Sequence, residues 1–291
     1  LEKICNKGLI MDITAVTTFH YEGMFTYGQR FLDSWAKNVD PTIKLLVYAE
    51  DCTPEINSDN IILYDAKKEL PKLNKFKEIW GDVPKANGKP PQEIIDARPR
   101  DHHKAFKWDA VRFANKVYAV LDACEKSKDW CVWVDADTFV HSPWSKEEFA
   151  NLLPNESWLT FVGRGRGSQT WPECGFYGMN LKDEKCIEFL KEFERMYEDA
   201  ENGIFTLGEW HDSYVFGKIL NKMRFEKPSV FDYSANIYVK TAKTGGGGHP
   251  LINTELGRWI DHMKGGRKQQ RKSSVVKDLM AERSEAYWNE S

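Results

Sequence analysis

A single-domain α/β fold, with helices packed on a parallel sheet, is predicted by three features of the chain. Short β-branched runs alternate with helix-period segments, the pattern of strand–helix–strand units. The run Trp130 to Val134 is apolar throughout, as expected of a central strand buried on both faces. It ends in Asp135-Ala136-Asp137, at the carboxyl end of the strand, where open α/β sheets hold their ligands. A length of 291 residues suits one large α/β domain or two small ones, and the single domain is the expectation.

Taken in order, Ile13 to Phe19 is the first expected strand, and Gln29 to Trp35 follows with helical apolar spacing. Ile43 to Tyr48 and Ile61 to Tyr64 read as the next two strands. Gly81 to Pro99, with its prolines, glycines and lysines, is an expected surface loop. Asp101 is expected to cap the next helix. Behind it Phe106, Ala110, Phe113, Val117, Val120 and Leu121 recur at spacings of three and four, marking a buried stripe. Trp158 to Gly163 and Gly175 to Asn180 read as strands, and Asp183 to Glu198 and Asp212 to Asn221 as helices. Gly245 to Gly248 is an expected mobile loop. Ser273 to Trp288 is an expected helix at the periphery, within a C-terminal segment over 273–291 that lies outside a domain spanning 1–272.

Composition excludes several function classes. A hydrophobic share of 41% with 29% charged residues is ordinary for a soluble globular chain. A net charge of -3 argues against a dedicated nucleic-acid binder. No apolar run approaches the roughly 18–20 residues needed to span a bilayer. Leu1 to Ile10 lacks the apolar core of a signal peptide, so the expected compartment is cytoplasmic, although an excised lumenal domain would look the same. The six cysteines form no Cys-x-x-Cys pair, which predicts reduced, buried thiols. No Gly-x-Gly-x-x-Gly follows the first strand, against a dinucleotide-dependent oxidoreductase.

Two carboxylates one residue apart repel each other unless a cation accompanies them. A second motif offers what such a cation needs: His262-Met263-Lys264-Gly265-Gly266-Arg267-Lys268. An imidazole ligates divalent ions, a glycine admits a phosphate close to backbone, and a lysine neutralises phosphate charge. A lone histidine is ordinarily a surface or core residue. Together with Asp135 and Asp137, His262 becomes a candidate third ligand.

Asp135-Ala136-Asp137 resembles the Asp-x-Asp signature of nucleotide-sugar glycosyltransferases with the GT-A fold. His262-x-x-Gly265-x-x-Lys268 resembles the His-x-x-Gly-x-x-Lys motif of the glycogenin and lipopolysaccharide galactosyltransferase family. The resemblance implies a GT-A type, Rossmann-like mixed sheet flanked by helices, with a nucleotide-binding half near 11–140 and an acceptor and sugar half near 141–272. It implies Mn2+ or Mg2+ held by Asp135, Asp137 and His262, with Asp135 also reaching the ribose. Gly265 and Lys268 would meet the diphosphate of a donor, expected to be a UDP-sugar, and the acceptor would be a glycan or glycoconjugate hydroxyl. Thr17, Phe19 and Tyr21, after the first strand, become candidates for base and ribose contacts. Lys107 becomes a candidate for the donor sugar and phosphate.

Three carboxylates compete for the catalytic role. Glu173, in Trp171 to Asn180, could accept bidentate hydrogen bonds from sugar hydroxyls, with Gly175 and Gly178 admitting backbone to the sugar. Gly208-Glu209-Trp210-His211-Asp212-Ser213 is similar to the Trp-His-Asp-Glu-Ser segment of the blood-group transferase family, but Ser213 replaces its second acid. That departure leaves the role open between Glu209 and Asp212, while Trp210 is an expected acceptor-stacking residue. Thr244 to Pro250 resembles loops that close over a donor and exclude water. Both resemblances point to retention of anomeric configuration. An inverting enzyme would use Asp212 or Glu209 as general base. Two other classes stay open: a nucleotidyltransferase or phosphohydrolase, which often holds two ions among further acids, and a sugar-binding module with a structural cation.

Overall fold

The computed structural model describes residues 11–98, 104–165, 171–224, 229–235, 249–263, 266–269, 274 and 278–289. Nine strands occur among them: β1 (Ile13–His20), β2 (Lys44–Glu50), β3 (Ile61–Asp65), β4 (Trp130–Val134), β5 (Thr138–Val140), β6 (Leu159–Val162), β7 (Glu173–Asn180), β8 (Val230–Asp232) and β9 (Ile260–His262). Seven of them form one sheet in the order β3-β2-β1-β4-β7-β6-β8. The β3–β2–β1–β4 half is parallel, whereas β7 runs antiparallel to both β4 and β6. The sheet is therefore mixed rather than purely parallel.

Side chains alternate across a strand, so a central sheet divides the core in two. Val16, Tyr48, Trp133 and Tyr177 fall in one cluster, and Ala15, Val47, Val132 and Phe176 in the other. The first face is covered by α2 (Pro71–Trp80), α3 (Ala110–Glu125), α4 (Glu184–Glu198) and α5 (Asp212–Arg224), through Phe76, Val117, Phe189 and Phe216. The second is covered by α1 (Gln29–Asn38), through Phe31 and Trp35, and by the C-terminal segments. There the Trp144 and Trp259 rings stack 5.2 Å apart.

Several elements differ from the sequence reading. Asp109 caps α3, its side chain accepting from the Arg112 amide; Asp101 lies outside the described residues. The helix starts late because Ala105–Trp108 form a tight 3-10 turn, which leaves Phe106 46% exposed rather than in the buried stripe. Within 81–99 the chain makes a helical turn at Pro84–Ala86 and a short helix at Gln92–Ala97. Of the expected C-terminal helix, residues 278–285 are essentially irregular and only Ala286–Asn289 form a helical turn. Trp288 there is not peripheral: it is buried, and its indole donates to the Gly257 carbonyl at 2.8 Å. The expected mobile run Gly245 to Gly248 lies outside the described residues. Cys124, Cys131, Cys174 and Cys186 are buried free thiols, and Cys52 is a half-buried one. Among the described residues no helix is long and apolar enough to cross a membrane.

Candidate active site

The site is assembled where β4 ends. Past Val134 the Asp135 amide donates to the Gly175 carbonyl at 2.9 Å, and the Thr138 amide returns to the Asp135 carbonyl at 3.1 Å. This turn feeds β5, which pairs antiparallel with β9 in a separate two-stranded sheet, Thr138 opposite His262. The Met263 amide donates to the Asp137 carbonyl at 2.8 Å and extends the pairing. A pair of residues 125 positions apart is thereby joined: His262 Nε2 lies 2.9 Å from Asp137 Oδ1. The same nitrogen is 3.7 Å from Asp135 Oδ2.

Asp135, Asp137 and His262 each offer one ligand atom, and these atoms lie within 4.8 Å of one another. Two carboxylate oxygens and one imidazole nitrogen form a group that could hold a divalent cation. Asp137 and His262 are buried, and Asp135 is half-buried at the cleft floor. Burial pushes the Asp137 carboxyl up, but the His262 ring and the Lys268 ammonium outweigh it and hold the group well below the usual carboxylate range. Lys268 sits directly on Asp137 Oδ2. Beside them the Tyr27 phenol is pushed up to about 12, first by burial and then by the Asp137 charge, so it stays protonated.

A second cation was not foreseen. Lys116, on α3, is 8% exposed, and its Nζ reaches Asp135 Oδ1 at 3.0 Å and Asp212 Oδ2 at 2.8 Å. It also donates to the Cys174 carbonyl and lies 4.5 Å over the Trp133 ring. Burial would lower this ammonium, yet the Asp135 and Asp212 charges keep it above the usual lysine range. The sequence carried a signal: Lys116 follows Phe113 by three and adjoins Val117, on the apolar face of its helix, where an uncompensated lysine is costly.

These groups line an open cleft of about 1310 Å³ at the carboxyl ends of β1 and β4. Phe19, Tyr21, Asp135, Asp137, Glu173, Asp212, His262 and Lys268 all face it. Thr17 does not: it is fully buried, and its neighbour Thr18 lines the cleft instead. Lys107 and Glu209 do not line it either, although His211, which Glu209 bonds, does. Glu209 Oε1 accepts from Arg98 at 2.5 Å and from Lys107 at 3.0 Å, while Oε2 meets His211 Nε2 at 2.9 Å. Burial would raise this carboxyl; the His211 and Lys107 hydrogen bonds hold it below its ordinary value. Trp210 is 1% exposed, packed edge-on to Phe205 with its indole donating to the Leu207 carbonyl, and is not free to stack on an acceptor.

Glu173 opens β7, with Arg164 3.3 Å from Oε2. Gly175 makes room for protein rather than sugar, since a Cβ there would stand 2.8 Å from the His262 ring. At Gly178 a Cβ would meet Thr160 and Leu153 inside the core. Gly265 and residues 244–248 of the expected closing loop lie outside the described residues. Arg112 and His249 are further site neighbours that the sequence reading missed.

No protein-family model matches the chain, and neither does any curated protein sequence. Among solved structures, mouse xyloside xylosyltransferase 1 in its apo form aligns with 76% of this chain and 84% of its own. The identity is 12% and the TM-score 0.41.

Proposed function

We propose that the chain is a metal-dependent glycosyltransferase of GT-A type, moving a sugar from a nucleoside-diphosphate donor, in the first instance a UDP-sugar, to a glycan hydroxyl. The observation that carries the reading is the convergence of Asp135, Asp137 and His262 ligand atoms within 4.8 Å on a cleft that also presents Lys268. Asp135, Asp137 and His262 would hold Mn2+ or Mg2+, which supplies positive charge for the departing diphosphate.

The chain's own residues supply the rest. Lys268 now neutralises Asp137; with a cation sharing that carboxylate, its ammonium is available to the diphosphate. The exposed Tyr21 ring offers a surface for the base or ribose at the end of β1, whereas Phe19 borders the cleft but is 3% exposed. Lys116 holds Asp212 at the cleft wall. Asp212 is favoured over Glu209 as the carboxylate facing the sugar, because it lines the cleft while both Glu209 oxygens are engaged elsewhere. With Oδ2 accepting from Lys116, Asp212 is read as stabilising positive charge on an oxocarbenium-like sugar, in keeping with retention.

Thermal-shift measurements across a panel of nucleotide sugars, with and without Mn2+, test the class and name the donor base. Stabilisation by uridine donors only when Mn2+ is present is the expected result. Undiminished donor binding and sugar transfer in excess EDTA would overturn the proposal.

A further inference from the structure

The two sides of the His262 ring meet different surroundings. Nε2 faces Asp137 and Asp135, whereas Nδ1 makes no hydrogen bond among the described residues although the side chain is 2% exposed. Around Nδ1 stand Glu173 Oε1 at 4.0 Å, the His249 ring edge-on with centroids 4.8 Å apart, and Gly175. A neutral imidazole carries one N–H, so a cation on Nε2 requires the proton on Nδ1, where it needs an acceptor.

We propose that Glu173 is that acceptor, a positioning residue that orients His262 toward the cation rather than a group that binds sugar. The inference rests on the proposed metal-dependent function. Glu173 Oε2 lies 3.3 Å from Arg164, and Oε1 is the oxygen that stands 4.0 Å from Nδ1; closing 4.0 Å to a hydrogen bond of about 2.9 Å is within reach of a glutamate side chain. Glu173, His249 and His262 also place one ligand atom each within 4.8 Å, which could be read as a second cation site. The His249 tautomer opposes this. Its Nδ1 accepts from the Leu251 amide at 3.2 Å, which puts the ring proton on Nε2 and makes that nitrogen a donor. The group is an outer layer around one cation site.

Titration calorimetry of the full chain with Mn2+ alone, without nucleotide, tests this in wild type, Glu173→Gln and Glu173→Ala. One ion per wild-type chain is expected, with affinity about 10- to 100-fold weaker in Glu173→Ala. Glu173→Gln should lose less, since its amide oxygen still accepts, and should unfold at nearly the wild-type temperature without metal. Wild-type Mn2+ affinity in both variants, with only the donor KM raised, would overturn the inference and give Glu173 to the sugar. Two ions per wild-type chain would overturn it as well. Absence of any Mn2+ binding by wild type would instead overturn the proposed function together with the inference.

Discussion

Two clusters of charge flank the start of α5, and each combines carboxylate, lysine and histidine. In one, Glu209 is enclosed by Arg98, Lys107 and His211, and both of its oxygens are occupied. It ties the 105–108 turn to the segment before α5, where the Trp210 amide also donates to the Lys107 carbonyl at 2.7 Å. In the other, Asp135, Asp137 and Asp212 share Lys116, Lys268 and His262, but the group opens on the cleft. The first cluster is complete without a ligand. The second places several carboxylates together at a solvent-reachable floor, an arrangement that a divalent cation would relieve. Charge composition alone does not separate a structural pin from a candidate site; whether the carboxylates line the cleft does.

The largest effect should come from breaking the open cluster. Asp137→Asn or His262→Ala should lower sugar transfer by more than about 100-fold and abolish its response to Mn2+, while far-UV circular dichroism is retained. Lys116→Met should come next. It leaves Asp135 and Asp212 without their shared ammonium and should cost about 3 kcal/mol in urea unfolding, in addition to lost turnover. The sharpest contrast is between Asp212→Asn and Glu209→Gln. The former should reduce kcat by about 100-fold with little change in donor Kd. The latter should leave kcat within about twofold and lower stability by roughly 1–3 kcal/mol. The reverse pattern would return the catalytic role to Glu209.

The smallest effect concerns the far side of β5. Burial lowers the His141 imidazole from its ordinary range to about 4, and the ring stacks on Tyr287 with centroids 4.1 Å apart. Because the folded value lies below the unfolded one, the unfolded chain takes up the proton first as pH falls. Stability should therefore be intact above about 6.5 and decline between there and about 4, by up to ~3 kcal/mol. His141→Phe should flatten that part of a Tm-against-pH profile.

Much of the architecture was legible because it follows from local rules. Trp130 to Val134 announced a doubly buried strand, and the carboxylates after it had to emerge at the sheet's end. The strands β1 to β3 and the helices α1, α4 and α5 followed from periodicity. Misreadings arose where neighbours in space outweigh neighbours in sequence. Lys107 and Lys116 are both basic and close in the chain, yet the 3-10 turn aims the first at Glu209 and the helix face aims the second at Asp135. Trp210 looked like a stacking platform but fills core beside Phe205. Thr17 and Thr18 are adjacent residues whose side chains leave opposite faces of β1, so a one-residue difference decides which reaches the cleft.

By itself the sequence determined the class of fold, the position of Asp135 and Asp137 at the end of a central strand, and the presence of a histidine–glycine–lysine motif that could complete their chemistry. Periodicity and residue type suffice for these, because they are settled within a few residues of the chain. Only the tertiary structure decided that β9 pairs with β5 and sets His262 against Asp137, that Lys116 rather than Lys107 meets Asp135, and that Glu209 is held by Arg98 and Lys107. These contacts span from 19 to 125 positions, and their geometry depends on how whole elements pack, which no short stretch of sequence encodes.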